Sequence, residues 1–369
     1  MLFKSWLQSF GRKQRRPRTT GLTTTTVAAE RMEDRSLLSV AALFVNGELF
    51  VSSDGGDSIA VRQDSSTGRV QVLANGAVLG TAPNVATSTV TSIVIKGGDD
   101  NNTIDLSQVT GTTYPSLTPT GIKVDGGNGN DTITGSPTYG DSLLGGDGAD
   151  VLNGQGGNDT LDGGDGNDLI TGSDGDDSLI GEDGNDIITG DNGNDTIFGG
   201  NHNDNINGGA GDDNIDAGQS NDTVLGGAGN DTINGAAGAD SISGGDGHDK
   251  IFGGDGDDII NGGAGNDIIS GGQGNDRILG GSGHDAISGG VGRDFIDGQD
   301  GDDTLLGGAD DDTLICGAGY DIALGEEGND RIESLSNDTV SGGPGDDVFV
   351  GPHAKIDEAF VFDFDLLLN

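Results

Sequence analysis

Gly126-Gly127-Asn128-Gly129-Asn130-Asp131-Thr132-Ile133-Thr134 is a nine-residue unit that the following two hundred or so residues repeat. From Asp141 to Asp330 an Asp stands at every ninth position, 22 in all, without a miss. Two residues after each lies a large aliphatic, from Leu143 to Ile332, broken only by Ala323. Two such registers in phase are not a product of chance, and a fixed period outranks local propensity as a guide to fold. The unit is G-G-x-G-x-D-x-U-x, with U aliphatic. Its glycines permit positive φ and close backbone approach. The x-U-x triplet reads as a short strand with U inward and its neighbours outward, because strand side chains alternate. Two units make one 18-residue turn. Loops nine residues apart then fall on opposite edges, and loops eighteen apart stack on one edge. Stacked strands lie about 4.8 Å apart, so eleven turns predict a rod on the order of 50 Å long.

Composition alone leaves two readings open. The chain has 369 residues, 73 of them Gly, only 4% aromatics and a net charge of -45. Low hydrophobicity with high charge describes a disordered chain, but also a fold whose acids are neutralised by a bound cation. The charge is uneven. Lys4, Arg12, Lys13, Arg15, Arg16 and Arg18 crowd the first eighteen residues, whereas between Asp141 and Asp330 the only basic residues are Lys250, Arg277 and Arg293. Such a body is repelled by nucleic acid and by anionic membrane surfaces. No apolar run approaches the roughly 18 residues of a membrane span. Cys316 is the only cysteine, so no intrachain disulfide is possible, and metal is the obvious alternative staple.

The array resembles the RTX, or haemolysin-type calcium-binding, nonapeptide-repeat family over more than half of the chain. The resemblance implies an all-β parallel β-roll (a β-solenoid) with two nonapeptides per 18-residue turn and calcium held between stacked loops. Calcium is a hard cation that takes six to eight oxygens at about 2.3–2.6 Å. One Asp per loop supplies charge, and carbonyls supply the remaining ligands. The expected metal residues are Asp131, Asp141, Asp150, Asp159, Asp168, Asp177, Asp186 and Asp195; then Asp204, Asp213, Asp222, Asp231, Asp240, Asp249, Asp258 and Asp267; then Asp276, Asp285, Asp294, Asp303, Asp312, Asp321, Asp330 and Asp347. The loops near His202, Ser220 and Asp310 are the doubtful ones, since these residues replace the turn glycine two before the Asp. The first glycine pair is altered at Gln155, Ser173, Glu182, Asp191, Ala217, Ala236, Gln299, Cys316 and Glu326. Spacing breaks at both ends: Asp131 to Asp141 is ten residues, and Asp330 to Asp338 is eight.

The expected organisation has four parts. Residues 1–40 form a basic export or sorting segment. Within it, Arg31-Met32-Glu33-Asp34-Arg35-Ser36-Leu37-Leu38-Ser39 resembles the L-E-x-R-x-L-L-S motif that opens many surface or secreted bacterial proteins. Residues 41–120 form a small β region, an N-terminal cap or a separate domain. Asn46-Gly47 and Asn75-Gly76 lie between alternating apolar residues there, the pattern of a two-residue hairpin. Gly97-Gly98-Asp99-Asp100-Asn101-Asn102-Thr103-Ile104 reads as a decayed first repeat, with Asn102 in the Asp position. Residues 121–350 form the roll. Residues 351–369 end in alternating Phe and Asp and then Asp365-Leu366-Leu367-Leu368-Asn369, suited to a capping strand or to a C-terminal secretion signal.

Catalytic signatures are missing. His202, His248, His284 and His353 are the only histidines, and none lies in H-E-x-x-H. The G-x-S-x-G elbow of lipases is absent, no G-x-G-x-x-G follows a strand and opens a helix, and no Glu closes an EF-hand loop. His248 and His284 read as exposed loop side chains. Phe198, Leu225, Phe252, Leu279 and Leu306 follow a U residue every 27 residues, out of step with an 18-residue turn, and form no continuous stripe. The expected protein is secreted or at the cell surface, non-enzymatic and monomeric. It binds calcium and not nucleic acid, and cell-surface polysaccharide or other proteins are its conceivable partners. The competing class is a calcium-dependent extracellular enzyme, adhesin or haemolysin-like toxin fragment that uses the roll for export and folding.

Overall fold

The computed structural model describes residues 40–351 and 355–356. The basic start, the motif at residues 31–39 and the tail from Asp357 onward lie outside the described residues.

The chain alternates between two parallel sheets. One sheet has 16 successive parallel rungs: Glu48–Ser52, Ser92–Lys96, Ile122–Asn128, Asp141–Asp147, then a rung every turn to Thr339–Ser341 and Lys355–Ile356. The other has 15, from Ser58–Gln63 through Thr103–Asp105, Thr132–Thr134 and Val151–Gly156 to Arg331–Glu333 and Val348–Val350. Leu143 faces Leu161, Leu161 faces Leu179, and Leu152 faces Ile170. The register therefore advances 18 residues per turn, as the period requires. At about 4.8 Å per rung, sixteen rungs span about 70 Å, longer than the repeat alone predicts because the N-terminal strands extend the same sheets.

Each regular strand is six residues, such as Lys250–Asp255, rather than a triplet. The glycine pair continues the strand, and the corner follows it. Corner backbone at positions two and four of the unit is left-handed, as at Gly254 (φ 115°) and Gly256 (φ 140°). His202, Ser220 and Asp310 keep that conformation, at φ 80°, 81° and 85°. So do Gln155, Ser173, Glu182, Asp191, Ala236, Gln299 and Glu326. Left-handed backbone without glycine costs about 1–3 kcal/mol per residue and persists only where its surroundings over-determine it. Here the coils above and below do so, with pairings such as Ser173 to Asp191 in register.

The core is one aliphatic side chain deep. The U residues from Leu143 to Val340 are at most 3% exposed, and each coil contributes two of them. Ala323 is buried in the same row. A fully buried Leu or Ile contributes about 1.5–3 kcal/mol, but it is the main apolar contribution of nine residues, most of them small or polar.

The N-terminal strands enter the same stack. Val51 faces Ile95 and Ile95 faces Val124 in one sheet; Ile59 faces Ile104 and Ile104 faces Ile133 in the other. Both hairpin turns form, with positive φ at Asn46, Gly47, Asn75 and Gly76. They let Ala41–Val45 pair antiparallel with Glu48–Ser52, and Arg69–Ala74 pair antiparallel with Ala77–Ala86. Arg69–Ala74 also covers Ser58–Gln63, so antiparallel strands close both sheets at this end.

One surface feature escapes the 27-residue period. The residue before U is also outward, and on the second sheet Val151, Leu169 and Ile187 occupy it on three adjacent rungs, all exposed. A short apolar row therefore exists where the residues after U show none.

Candidate functional site

Every repeat Asp from Asp131 to Asp330 is buried at 3% exposure or less. The cause is the winding: the Asp side chain turns inward at the corner, next to the U residue two positions on. On each edge the carboxylates form a ladder. The backbone N–H of Asp240 donates to Oδ1 of Asp258 (2.8 Å), and Asp258 donates to Asp276 (2.9 Å). On the other edge Asp231 donates to Asp249 and Asp249 to Asp267. The first edge starts outside the repeats, as Asp57 donates to Asn102 and Asn102 to Asp131 (2.5 Å). It ends with Asp330 donating to Asp347.

Oδ1 is thus used by the main chain, whereas Oδ2 is not. Twenty-two ladder carboxylates, among the described residues, bury an Oδ2 atom with no hydrogen-bond partner. A buried polar atom left unpaired costs about 1–3 kcal/mol, and a charged one more, so a row of them marks a missing ligand. The first glycine of the unit makes room for it. A Cβ on Gly280 would stand 2.6 Å from Oδ2 of Asp285 and 2.7 Å from the carbonyl oxygen of Gly298, one coil on. Carboxylate and carbonyl oxygens therefore converge on the bare face of this glycine. That donor set is hard, anionic and all oxygen, which fits calcium.

Electrostatics point the same way. Among the protein groups alone, burial pushes the carboxyls of Asp159 and Asp312 up to about 8. Burial likewise raises Asp141, Asp168, Asp204, Asp213, Asp222, Asp258 and Asp303 to about 7. The ladder hydrogen bond opposes the rise, and in most of them neighbouring carboxylates add to it, as Asp276 and Asp240 do at Asp258. A multivalent cation at Oδ2 answers both causes at once.

Two stacked parallel sheets with carboxylate ladders along both glycine-lined edges define a calcium-binding β-roll. Ten overlapping segments between residues 123 and 351 match the model of the RTX calcium-binding nonapeptide repeat, and the chain belongs to that family. No curated protein matches the chain. Among the described residues no helix is long and apolar enough to cross a membrane.

The structure adds residues that the period does not reveal. Asp338, out of register by one residue, is buried and accepts the N–H of Asp321 through Oδ1. Its signal is an Asp two residues before Val340, the next U. A second, outer ladder runs along the residue before each Asp: Asn230 Oδ1 accepts the N–H of His248, and His248 Nδ1 accepts that of Asn266. His284 Nδ1 does the same for Asp302. These histidines are exposed, as the sequence predicts, yet each is built into the edge. The prevalence of Asn, Asp and His at this position is the available signal.

The ladder makes a double-substitution test direct. Asp240 and Asp258 share an edge, whereas Asp249 lies on the other. Asp240→Ala with Asp258→Ala should show coupling of about 1 kcal/mol or more in the calcium midpoint of folding. Asp240→Ala with Asp249→Ala should add to within about 0.5 kcal/mol. Equal coupling in both pairs would contradict sites shared between coils 18 residues apart.

Proposed function

We propose that this chain is a secreted or cell-surface structural protein whose roll folds as it binds calcium, without a catalytic role. Each ion sits between adjacent coils on one edge, ligated by the Asp Oδ2 atoms and by glycine carbonyls. The observation that carries the reading is the row of 22 buried, unpartnered carboxylate oxygens. In a low-calcium interior these carboxylates repel one another and the glycine-rich chain stays unfolded and exportable. Outside, calcium neutralises them and the strands stack, since binding restricted to the folded state stabilises it by mass action. Residues 41–120 serve as the N-terminal cap, a role supported by the antiparallel strands that close the sheets there. A repeat stack needs such an atypical end unit.

Equilibrium dialysis tests the binding. The full chain should take up roughly one calcium per ladder step, on the order of twenty ions, in millimolar calcium. Magnesium should bind far fewer, because it demands near-octahedral geometry and keeps its waters. Uptake of only a few calcium ions, or equal uptake of magnesium, would refute the assignment. Cell fractionation that finds the folded protein only in the cytosol would refute the location.

A further inference from the structure

Cys316 stands where the repeat has its first glycine, the position at which carboxylate and carbonyl oxygens converge. Only Ala217 replaces that glycine elsewhere in the regular array, and a methyl group offers no ligand. Cys316 offers a thiol. Its Sγ and one carboxylate oxygen each of Asp321 and Asp338 all lie within 4.8 Å of one another. All three residues are at most 1% exposed. Asp321 keeps an Oδ2 atom with no hydrogen-bond partner, and in the regular repeats that atom faces the first-glycine position. The neighbours are held in place. The Cys316 N–H donates to the Glu333 carbonyl (2.9 Å), and Asp338 accepts N–H groups from Asp321 and Leu335. The group lies where the nine-residue spacing fails, between Asp330 and Asp338.

We propose that Cys316, Asp321 and Asp338 form a site for one thiophilic divalent cation of the zinc class, set within an edge otherwise built for calcium. A thiolate is a soft ligand that selects zinc-like metals, whereas calcium takes oxygen. Zinc–sulfur bonds of about 2.3 Å and zinc–oxygen bonds of about 2.0–2.2 Å put tetrahedral ligand atoms roughly 3.3–3.8 Å apart. Closing the three groups onto a metal therefore needs movements of about 1 Å, and water completes the fourth position. Binding releases the thiol proton to solvent. The site would tie together the last turns of the roll, where the calcium pattern loses its period.

Cobalt(II) is the probe, added to the full chain in saturating calcium with the fold followed by circular dichroism. The wild-type chain should take one cobalt ion with a thiolate-to-metal charge-transfer band in the near ultraviolet, and zinc should abolish the band. Cys316→Ser should lose the band and weaken cobalt binding by more than the roughly 10–100-fold typical of losing a mere supporting partner. Cys316→Gly restores the repeat residue; it should lose the band and gain one calcium. A folded wild-type chain that gives no band overturns the proposal, as does a band that survives in Cys316→Gly. The circular dichroism signal separates these outcomes from a failure of the calcium-driven folding itself.

Discussion

In chelator at neutral pH, residues 126–350 are expected to be disordered, and millimolar calcium should convert them into a β-rich rod. The radius of gyration of this segment should fall from about 50 Å to about 20 Å, the difference between an unfolded chain and a short rod of this length. The magnitude follows from the ladder. Twenty-four aspartates from Asp131 to Asp338 are buried in it. If holding each one ionised costs even one pKa unit, about 1.4 kcal/mol, the sum exceeds the roughly 5–15 kcal/mol by which ordinary domains are stable. A core one aliphatic side chain deep does not offset that. Calcium reverses the sign. A site held at a hundred times its dissociation constant contributes about 2.7 kcal/mol, and the roll has a site at nearly every step. Circular dichroism and small-angle scattering across a calcium titration make the measurement. A β-rich spectrum that excess chelator leaves unchanged at low salt would sink the mechanism.

Acid should replace calcium. The ladder carboxyls titrate at about 6 to 8 in the folded roll, as at Asp150, Asp258 and Asp159. They return to about 3.9 in the unfolded chain. Below pH 4 both states are protonated and no ionisation penalty applies. As pH rises, the unfolded chain gives up its protons first and the folded roll retains more of them. Stability falls wherever the native state binds the extra protons. The chelated roll should therefore be most stable near pH 4 and lose its β signal on the way to pH 8. Calcium should restore the signal at pH 8 and change little at pH 4. The same titration with Asp240→Asn and Asp258→Asn combined should soften the loss at high pH, because two ionisations are removed without removing the ladder oxygens. Absence of β structure in chelator at every pH between 4 and 8 would contradict the assigned penalty, as would a pH-independent signal.

Much of this was legible before any coordinates. The Asp period predicts the 18-residue turn, and the pairing of Leu143 with Leu161 bears it out. The turns at Asn46-Gly47 and Asn75-Gly76 were readable from two residues each. Gly97 to Ile104 was readable as an early repeat because Ile104 keeps the U spacing, and it stacks on Ile133. The loops at His202, Ser220 and Asp310 looked weakest because turn glycines are missing there. The backbone holds left-handed φ at all three regardless. Local propensity argued one way, and contacts to coils eighteen residues away decided the other.

By itself the sequence determined the architecture, the two acidic edges and the class of ion, because a strict short period leaves one way to stack and each repeat carries its own ligand. Only the tertiary structure decided how each carboxylate is divided, with Oδ1 bound to the main chain one coil back and Oδ2 left without a partner. It also decided that Asp338 joins the ladder despite its broken spacing, that His248 and His284 accept main-chain N–H groups, and that Cys316 meets two carboxylates. The reason is common to all four. These contacts link residues on neighbouring coils, so their geometry is set by how one turn lies on the next, and no nine-residue unit contains it.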